Sequence, residues 1–175
     1  MPPYVDGLGA LSRHPDVSEW LITAPILLQF FPSKELLFIF DEGLPEFEIS
    51  PDAVDAAKNF IALRESDRVN TSLAVYRNYQ EFVQATGHGR LAVDKPEDIW
   101  NFVSPQEILV SRRSRVDKRI YVQLLCECAW DPEHGLQLVF REGAVLSRVS
   151  MQDGHLTYAD AFGLPQDPEG EIIWR

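Results

Sequence analysis

Hydrophobic positions along the chain change their spacing twice, and these changes separate three kinds of element. Two short apolar runs, at residues 25–31 and 35–40, flank the turn-forming residues PSK, which predicts a β-hairpin. Residues 50–103 carry apolar positions at helical spacing, whereas later residues alternate between apolar and polar as in β-strands. A hairpin, a helical region and then consecutive strands predict an α+β fold.

The first predicted helix covers residues 50–63. Ser50 can accept hydrogen bonds from the free N–H groups of a helix start, and Pro51 stands where a missing N–H costs nothing. Asp52 and Asp55 fall in the first turn, where the positive end of the helix dipole favours acids. The apolar stripe of this helix is predicted to consist of Val54, Ala57 and Ile61.

Two further helices are predicted before the strands begin. The second covers residues 67–86, and Gly87 is expected to end it because glycine readily adopts the left-handed conformation. The third is short and spans residues 94–103, with Asp94 and Glu97 placed as a capping pair. The second helix is predicted to bury Val69, Leu73, Tyr76 and Val83, with Phe82 beside them.

Consecutive strands with short connections are predicted after the helices, which makes an antiparallel meander. Alternate residues of the longest strand share one face, and this face is predicted to point into the core. The strands are EILVSRR (107–113), RIYVQLLCECAW (119–130), LQLVFRE (136–142) and AVLSRVS (144–150). The core-facing residues are Val122, Leu124, Cys126, Cys128 and Trp130.

The length of 175 residues predicts a single domain, 1–175. Residues 1–20 are rich in turn formers and are expected to wrap the surface. Residues 21–92 hold the hairpin and helices, and residues 93–162 hold the antiparallel sheet with the third helix before it. The tail, 163–175, ends in an apolar triplet that can pack back onto the domain.

The composition favours an acidic, cytoplasmic protein. The net charge of −11 argues against binding to nucleic acid or to an anionic membrane, and it suits a cationic partner. The N-terminus lacks the features of a signal peptide, and the most apolar stretch, residues 20–31, is too short to span a bilayer. The cysteines, Cys126 and Cys128, are too few for a disulfide framework, so a reducing compartment is expected.

Two oppositely charged loops are candidates for partner binding. Acidic side chains attract a basic partner electrostatically, while a basic loop can hold phosphate or an acidic partner. Charged hairpin loops are also often only solvated, so both interpretations stay open. No aromatic residue interleaves with the arginines, so the stacking part of a nucleic-acid site is missing. The acidic loop contains Asp41, Glu42, Glu46 and Glu48, and the basic loop contains Arg112, Arg113 and Arg115.

Two turns rich in acids and histidine form a third candidate, here called the rim residues. Both turns lie at the same end of the predicted sheet, where neighbouring strands are about 5 Å apart, so they could converge. Carboxylates and imidazoles together can bind a transition metal or support acid–base catalysis. Asp-Pro and Asp-Gly are also ordinary turn sequences, so the same residues can simply shape the turns or contact a partner. The rim residues are Asp131, Glu133, His134, Asp153 and His155, of which His134, His155 and Asp153 would hold a metal if one were bound.

The strand-rich part of the chain resembles an uncharacterised bacterial domain-of-unknown-function family. The resemblance covers roughly residues 96–160 and depends on a W-[DE]-x-E-H-G-L turn, a glycine hairpin and a D-G-H segment. Here these are Trp130 to Leu136, Glu142–Gly143 and Asp153 to His155. The resemblance implies no catalytic residues. Acidic α+β domains of this kind are similar to immunity proteins that neutralise bacterial toxins, which implies a binding function.

These features favour a non-enzymatic cytoplasmic protein that binds a basic protein partner in an immunity-type or accessory role. No cofactor, nucleic acid or membrane is expected. The alternative is a metal-binding or metal-dependent hydrolytic domain that uses the rim residues. A third interpretation, an oligomeric module that pairs through the apolar hairpin at residues 25–40, also stays open.

Overall fold

The computed structural model describes residues 4–32, 34–42, 48–114 and 116–164. The strands are Tyr4–Val5 (β1), Gly9–Arg13 (β2), Leu21–Thr23 (β3), Ile26–Leu28 (β4), Lys34–Leu36 (β5), Phe38–Phe40 (β6), Val103–Arg112 (β7), Ile120–Cys128 (β8), Leu136–Arg141 (β9) and Val145–Ser150 (β10). The helices are Pro51–Ala62 (α1), Glu65–Asn70 (α2), Ser72–Thr86 (α3), Tyr158–Ala161 (α4) and a 3₁₀ helix, Pro96–Phe102. Most strands form one eight-stranded sheet in the order β1-β2-β3-β6-β7-β8-β9-β10, while β4 and β5 form a separate hairpin. The predicted α+β fold is confirmed.

Strands β7 to β10 form the antiparallel meander that the apolar alternation predicted. Short connections between consecutive strands leave the chain no room for a parallel crossover, so these neighbours are antiparallel. Strand β6 instead runs parallel to β7, with Phe38 opposite Ile108. The long connection that a parallel pair requires is supplied by the helical region between them.

Helices α1 and α3 and the 3₁₀ helix cover one face of the sheet, here called the front face, and the opposite face is called the back face. The core-facing residues predicted for the longest strand are all buried on the front face, so that prediction is confirmed. The ring of Phe60 from α1 packs edge-on against Phe140 of β9, with 5.1 Å between ring centroids. Phe30, after β4, packs against Phe140 at 5.7 Å, so hairpin, helix and sheet meet in one aromatic cluster.

Helix α1 begins as predicted, because the Ser50 hydroxyl accepts a hydrogen bond from the Ala53 N–H at 3.2 Å. Its predicted stripe is only partly right, since Val54 and Ile61 are half-buried and lie beside the buried face. Small side chains face the sheet because the helix backbone comes very close to the β9–β10 turn. The buried residues of α1 are Ala53, Ala56, Ala57 and Phe60.

The second predicted helix is divided by Thr71 into α2 and α3. Gly87 ends α3 in the left-handed conformation, with φ 73°, as predicted. The predicted buried face is only partly right, because Val69 and Leu73 are exposed, whereas Tyr76, Phe82 and Val83 are half-buried against the core. The helix is rotated so that the Ser72 hydroxyl accepts a hydrogen bond from the Trp100 indole at 2.8 Å. The buried residues of α3 are Ser72, Ala74, Val75 and Tyr79.

The short third helix is a 3₁₀ helix, and its start lies one residue later than the predicted capping pair. The Asp98 carboxylate accepts from the Lys95 N–H at 3.3 Å, in place of the expected pairing of Asp94 with Glu97. Ile99 and Trp100 are buried, which anchors this helix in the core.

The N-terminal region differs from its prediction in two ways. Residues 1–20 were expected only to wrap the surface, whereas β2 pairs with β3, and Leu11 is buried opposite Thr23. The predicted hairpin exists as β4 and β5, but residues 38–40 leave it and enter the sheet as β6. The Ile108 N–H donates to the carbonyl of Leu37 at this departure, so the apolar run is divided between two sheets.

Cys126 and Cys128 are free thiols buried in the core, as the strand alternation predicted. Burial raises the pKa of the Cys128 thiol to about 11, and burial also raises the pKa of Cys126. Both are therefore neutral, apolar side chains at neutral pH. None of the helices among the described residues has the length and apolar character needed to cross a membrane.

The close approach of α1 to the β9–β10 turn gives a stability prediction at Gly143. A Cβ at this position would lie 1.8 Å from the carbonyl oxygen of Ala56. We expect Gly143→Ala to lower the free energy of unfolding by about 3 kcal/mol, measured by urea denaturation. Gly87→Ala is the matched control, since Gly87 has the same φ of 73° but open space around it. Gly87→Ala should lower the free energy of unfolding by only about 1 kcal/mol. Equal losses in the two variants would contradict the close contact at Gly143.

Candidate functional site

The first turn of rim residues is a hydrogen-bonded turn centred on Asp131. This buried carboxylate accepts from the His134 backbone N–H at 3.1 Å and lies 3.0 Å from His134 Nδ1. The Gly135 N–H donates to the Asp131 carbonyl oxygen at 2.9 Å, which closes the turn. Glu133 is exposed. The acid and the histidine therefore hold each other and the turn.

The second turn is held by a buried arginine. Arg148 donates from one guanidinium nitrogen to Asp153 Oδ1 and to the His155 carbonyl oxygen, both at 2.6 Å. The His155 N–H also donates to Asp153 at 3.0 Å. Burial would raise the pKa of Asp153, but hydrogen bonds from Arg148 and His155 together with the arginine charge outweigh it and hold the pKa below its ordinary value.

The two turns do meet, but the contact is made by Gln152, which directly precedes Asp153, and not by the rim side chains. The Gln152 N–H donates to the His134 carbonyl oxygen at 3.2 Å, and the Gln152 side chain donates to the Cys126 carbonyl oxygen at 2.8 Å. No group of three or more His, Cys, Asp or Glu side chains in the described ranges is placed to hold a metal ion. The geometry gives no support to the metal alternative.

One residue of the predicted basic loop, Arg112, pairs with one residue of the predicted acidic loop, Glu42. Glu42 is buried, and its carboxylate accepts from Arg112 at 3.0 Å. Arg112 also donates to Asp52 at 3.2 Å and to the Ser50 hydroxyl at 2.9 Å. Glu48 alone of the described acidic-loop residues is exposed. Glu46 and Arg115 lie outside the described residues.

Arg113 was predicted as an exposed basic residue, but its side chain is buried on the back face. Its guanidinium makes two parallel hydrogen bonds to Asp160 of α4, both 2.8 Å long. It also donates to Asp117 at 3.2 Å, and Asp117 accepts from the Tyr121 hydroxyl at 2.8 Å. Burial would raise the pKa of Asp117, but the Arg119 N–H, Tyr121 and Arg113 outweigh it and lower that pKa.

These contacts leave a cleft on the back face, between the β7–β8 hairpin and the segment that follows β10. Its volume is about 710 Å³, which lies in the range typical of ligand-binding clefts. Polar residues of the sheet form the floor, and the segment around α4 forms one wall. The residues most important for its chemistry are Asp41, Ser111, Arg113, Gln123, Leu156 and Asp160.

Asp41 differs from the other carboxylates of the cleft. Burial raises its pKa, a hydrogen bond from Ser111 only partly offsets this, and the nearby negative charge of Glu42 raises the pKa further. Gln123 donates to the Ser111 hydroxyl at 2.9 Å, so Gln123, Ser111 and Asp41 form a chain of polar groups across the floor. One carboxyl oxygen of Asp41 is buried without a hydrogen-bond partner in the described structure.

Sequence reasoning placed Asp41 on a surface loop and did not single out Ser111, Gln123 or Asp160 as parts of one site. Ser111 and Gln123 share one signal, the alternation of β7 and β8, which points both side chains to the back face. The wall that α4 contributes to the cleft comes from a distant part of the chain, so no sequence pattern near Ser111 or Gln123 indicates it.

The ion pair between Arg113 and Asp160 gives the first prediction of this site. We expect Asp160→Asn to lower the free energy of unfolding by about 2 kcal/mol, because the buried guanidinium loses its charged partner. Asp52→Asn is the control, since Asp52 is 66% exposed in its pair with Arg112. An exposed ion pair contributes little to stability, so Asp52→Asn should change the free energy of unfolding by no more than about 0.5 kcal/mol. Equal effects in urea denaturation would contradict the assignment.

Asp41 gives a prediction of opposite sign. Its raised pKa means that the charged form opposes folding, so its contribution is favourable at low pH and is lost as the pH rises through the folded-state pKa. We expect Asp41→Asn to stabilise the protein at pH 7 by about 1 kcal/mol, measured by thermal and urea unfolding. The gain should disappear as the pH falls below the ordinary aspartate range. A destabilised variant at pH 7 would contradict a costly buried carboxylate.

Comparison with known proteins places the chain in a family. A family model described as a domain of unknown function, DUF6985, matches residues 7–156. The match covers strands β2 to β10 and the front-face helices, and it reaches much further toward the N-terminus than the resemblance at residues 96–160. No significant match was found among curated proteins or among solved structures. The chain therefore belongs to the DUF6985 family, whose function is unknown.

Proposed function

We propose that this domain is a non-enzymatic, cytoplasmic binding protein that recognises a basic protein partner through the back-face cleft. The role would be of an immunity or accessory type. The observation that carries the proposal is the cleft itself, which has a polar floor that includes Asp41 and exposed apolar residues in its walls. Such a combination is typical of protein-binding sites, where an apolar contact surrounds a few oriented polar groups.

Exposed apolar residues line the cleft or lie next in sequence to a residue that lines it. Val116, on the hairpin tip, is 61% exposed, and Phe162, just after α4, is 71% exposed. Leu164 is also exposed and lines the cleft. Large apolar side chains that are exposed next to a concave polar surface supply contact area for a partner.

The charge of the protein supports a basic partner. The net charge is −11, so long-range attraction would speed the approach of a cationic protein. The arginines that line the cleft do not oppose this, because Arg112 and Arg113 are both paired with carboxylates. Glu48 and Asp55 add exposed acids beside and on α1.

The proposal is tested by site-specific photocrosslinking in the cells that produce the protein. A benzoylphenylalanine at Val116 or at Phe162 should crosslink one basic protein, which mass spectrometry identifies. Leu27, 59% exposed in the groove beside α2, is the control position and should give no such product. The purified partner should then associate more slowly as the salt concentration rises. Equal crosslinking at all three positions, or an acidic partner, would exclude the proposal.

A further inference from the structure

Asp41 lies where a bound group can reach it, and its orientation is held by the sheet. It follows β6 directly, and its backbone N–H donates to the Val110 carbonyl oxygen at 3.2 Å, which continues the pairing with β7. Its side chain turns to the back face, where it is half-buried and lines the cleft. Ser111, which accepts a hydrogen bond from Gln123, favours the charged form of this carboxyl group and so lowers its pKa.

The other carboxylates around the cleft already have cationic partners. Asp117 and Asp160 pair with Arg113, and Glu42 pairs with Arg112. No lysine, arginine or histidine of the described residues forms an ion pair with Asp41. A partly buried carboxylate without a cation costs stability. A cation that enters the cleft from outside the domain would supply the missing charge.

We propose that Asp41 is the recognition group of the cleft and that it binds the cationic side chain of an arginine or lysine of the protein partner. The inference rests on the proposed function and specifies the chemistry of its partner. The walls suit the rest of such a side chain, because Leu109, Val116 and Leu156 provide apolar surface for its methylene groups. The ammonium or guanidinium group would meet the carboxylate at the floor, in surroundings where a charge-assisted hydrogen bond is strong.

The test is an NMR titration of the isotope-labelled protein with N-acetyl-arginine amide and N-acetyl-lysine amide. At least one of them should shift the Gln123 side-chain amide and the Ser111 backbone amide saturably, with a dissociation constant near 1 mM, the value typical of a single small contact. The neutral isostere N-acetyl-citrulline amide should bind about tenfold more weakly. The absence of saturable shifts, or equal binding of citrulline, would overturn the proposal.

Two variants assign the binding to Asp41. Asp41→Asn should weaken binding of the charged probe about tenfold, and its unfolding curve shows independently that the variant is folded. Glu35→Gln removes the same charge from the exposed β4–β5 hairpin and should leave the affinity unchanged. Equal loss in both variants would mean attraction to the overall charge only, and unchanged affinity in Asp41→Asn would exclude Asp41. If a basic partner still crosslinks at Val116 after such a result, the proposed function stands without this recognition group.

Discussion

Two arginines are buried on the back face of the sheet, and the need to pair them organises that side of the molecule. Arg113 and Arg148 each have side chains no more than 3% exposed. A buried guanidinium without a carboxylate is strongly unfavourable, so each requires an acid close by. Both acids, Asp153 and Asp160, come from the segment after β10. The segment is therefore docked against the sheet, and its position defines the wall of the cleft.

The two faces of the sheet consequently have different physical characters. The front face is closed by apolar contacts, with the ring of Phe60 at the centre and the small residues of α1 against the β9–β10 turn. The back face has only a small apolar cluster, Tyr121, Val139 and Leu156, beside its ion pairs. Apolar packing provides most of the stability, whereas oriented polar groups provide recognition. The front face thus stabilises the fold, and the back face presents the polar groups that can bind a partner.

Much of the fold followed from local patterns, and the candidate site did not. The alternation of β8 and the capping position of Ser50 depend on neighbours a few residues away, so both could be read from the sequence. The buried sides of α1 and α3 were misjudged because apolar size suggested Val54 and Leu73, whereas close packing selected alanines and Ser72. Two of the conspicuous rim acids proved to be held by neighbours, Asp131 by His134 within its turn and Asp153 by Arg148 of β10.

The sequence by itself determined the α+β class, the antiparallel meander, the buried cysteines, the start of α1 at Ser50 and the end of α3 at Gly87. Each of these depends on side-chain spacing or on backbone preferences that act within one element. Only the tertiary structure decided which charges are buried and which partner each one has. Arg112 and Glu42 are 70 residues apart, and Arg113 and Asp160 are 47 apart. The environment of Asp41 is set by strands and a helix that meet only after the sheet has formed, because burial and charge pairing depend on distance in space and not along the chain.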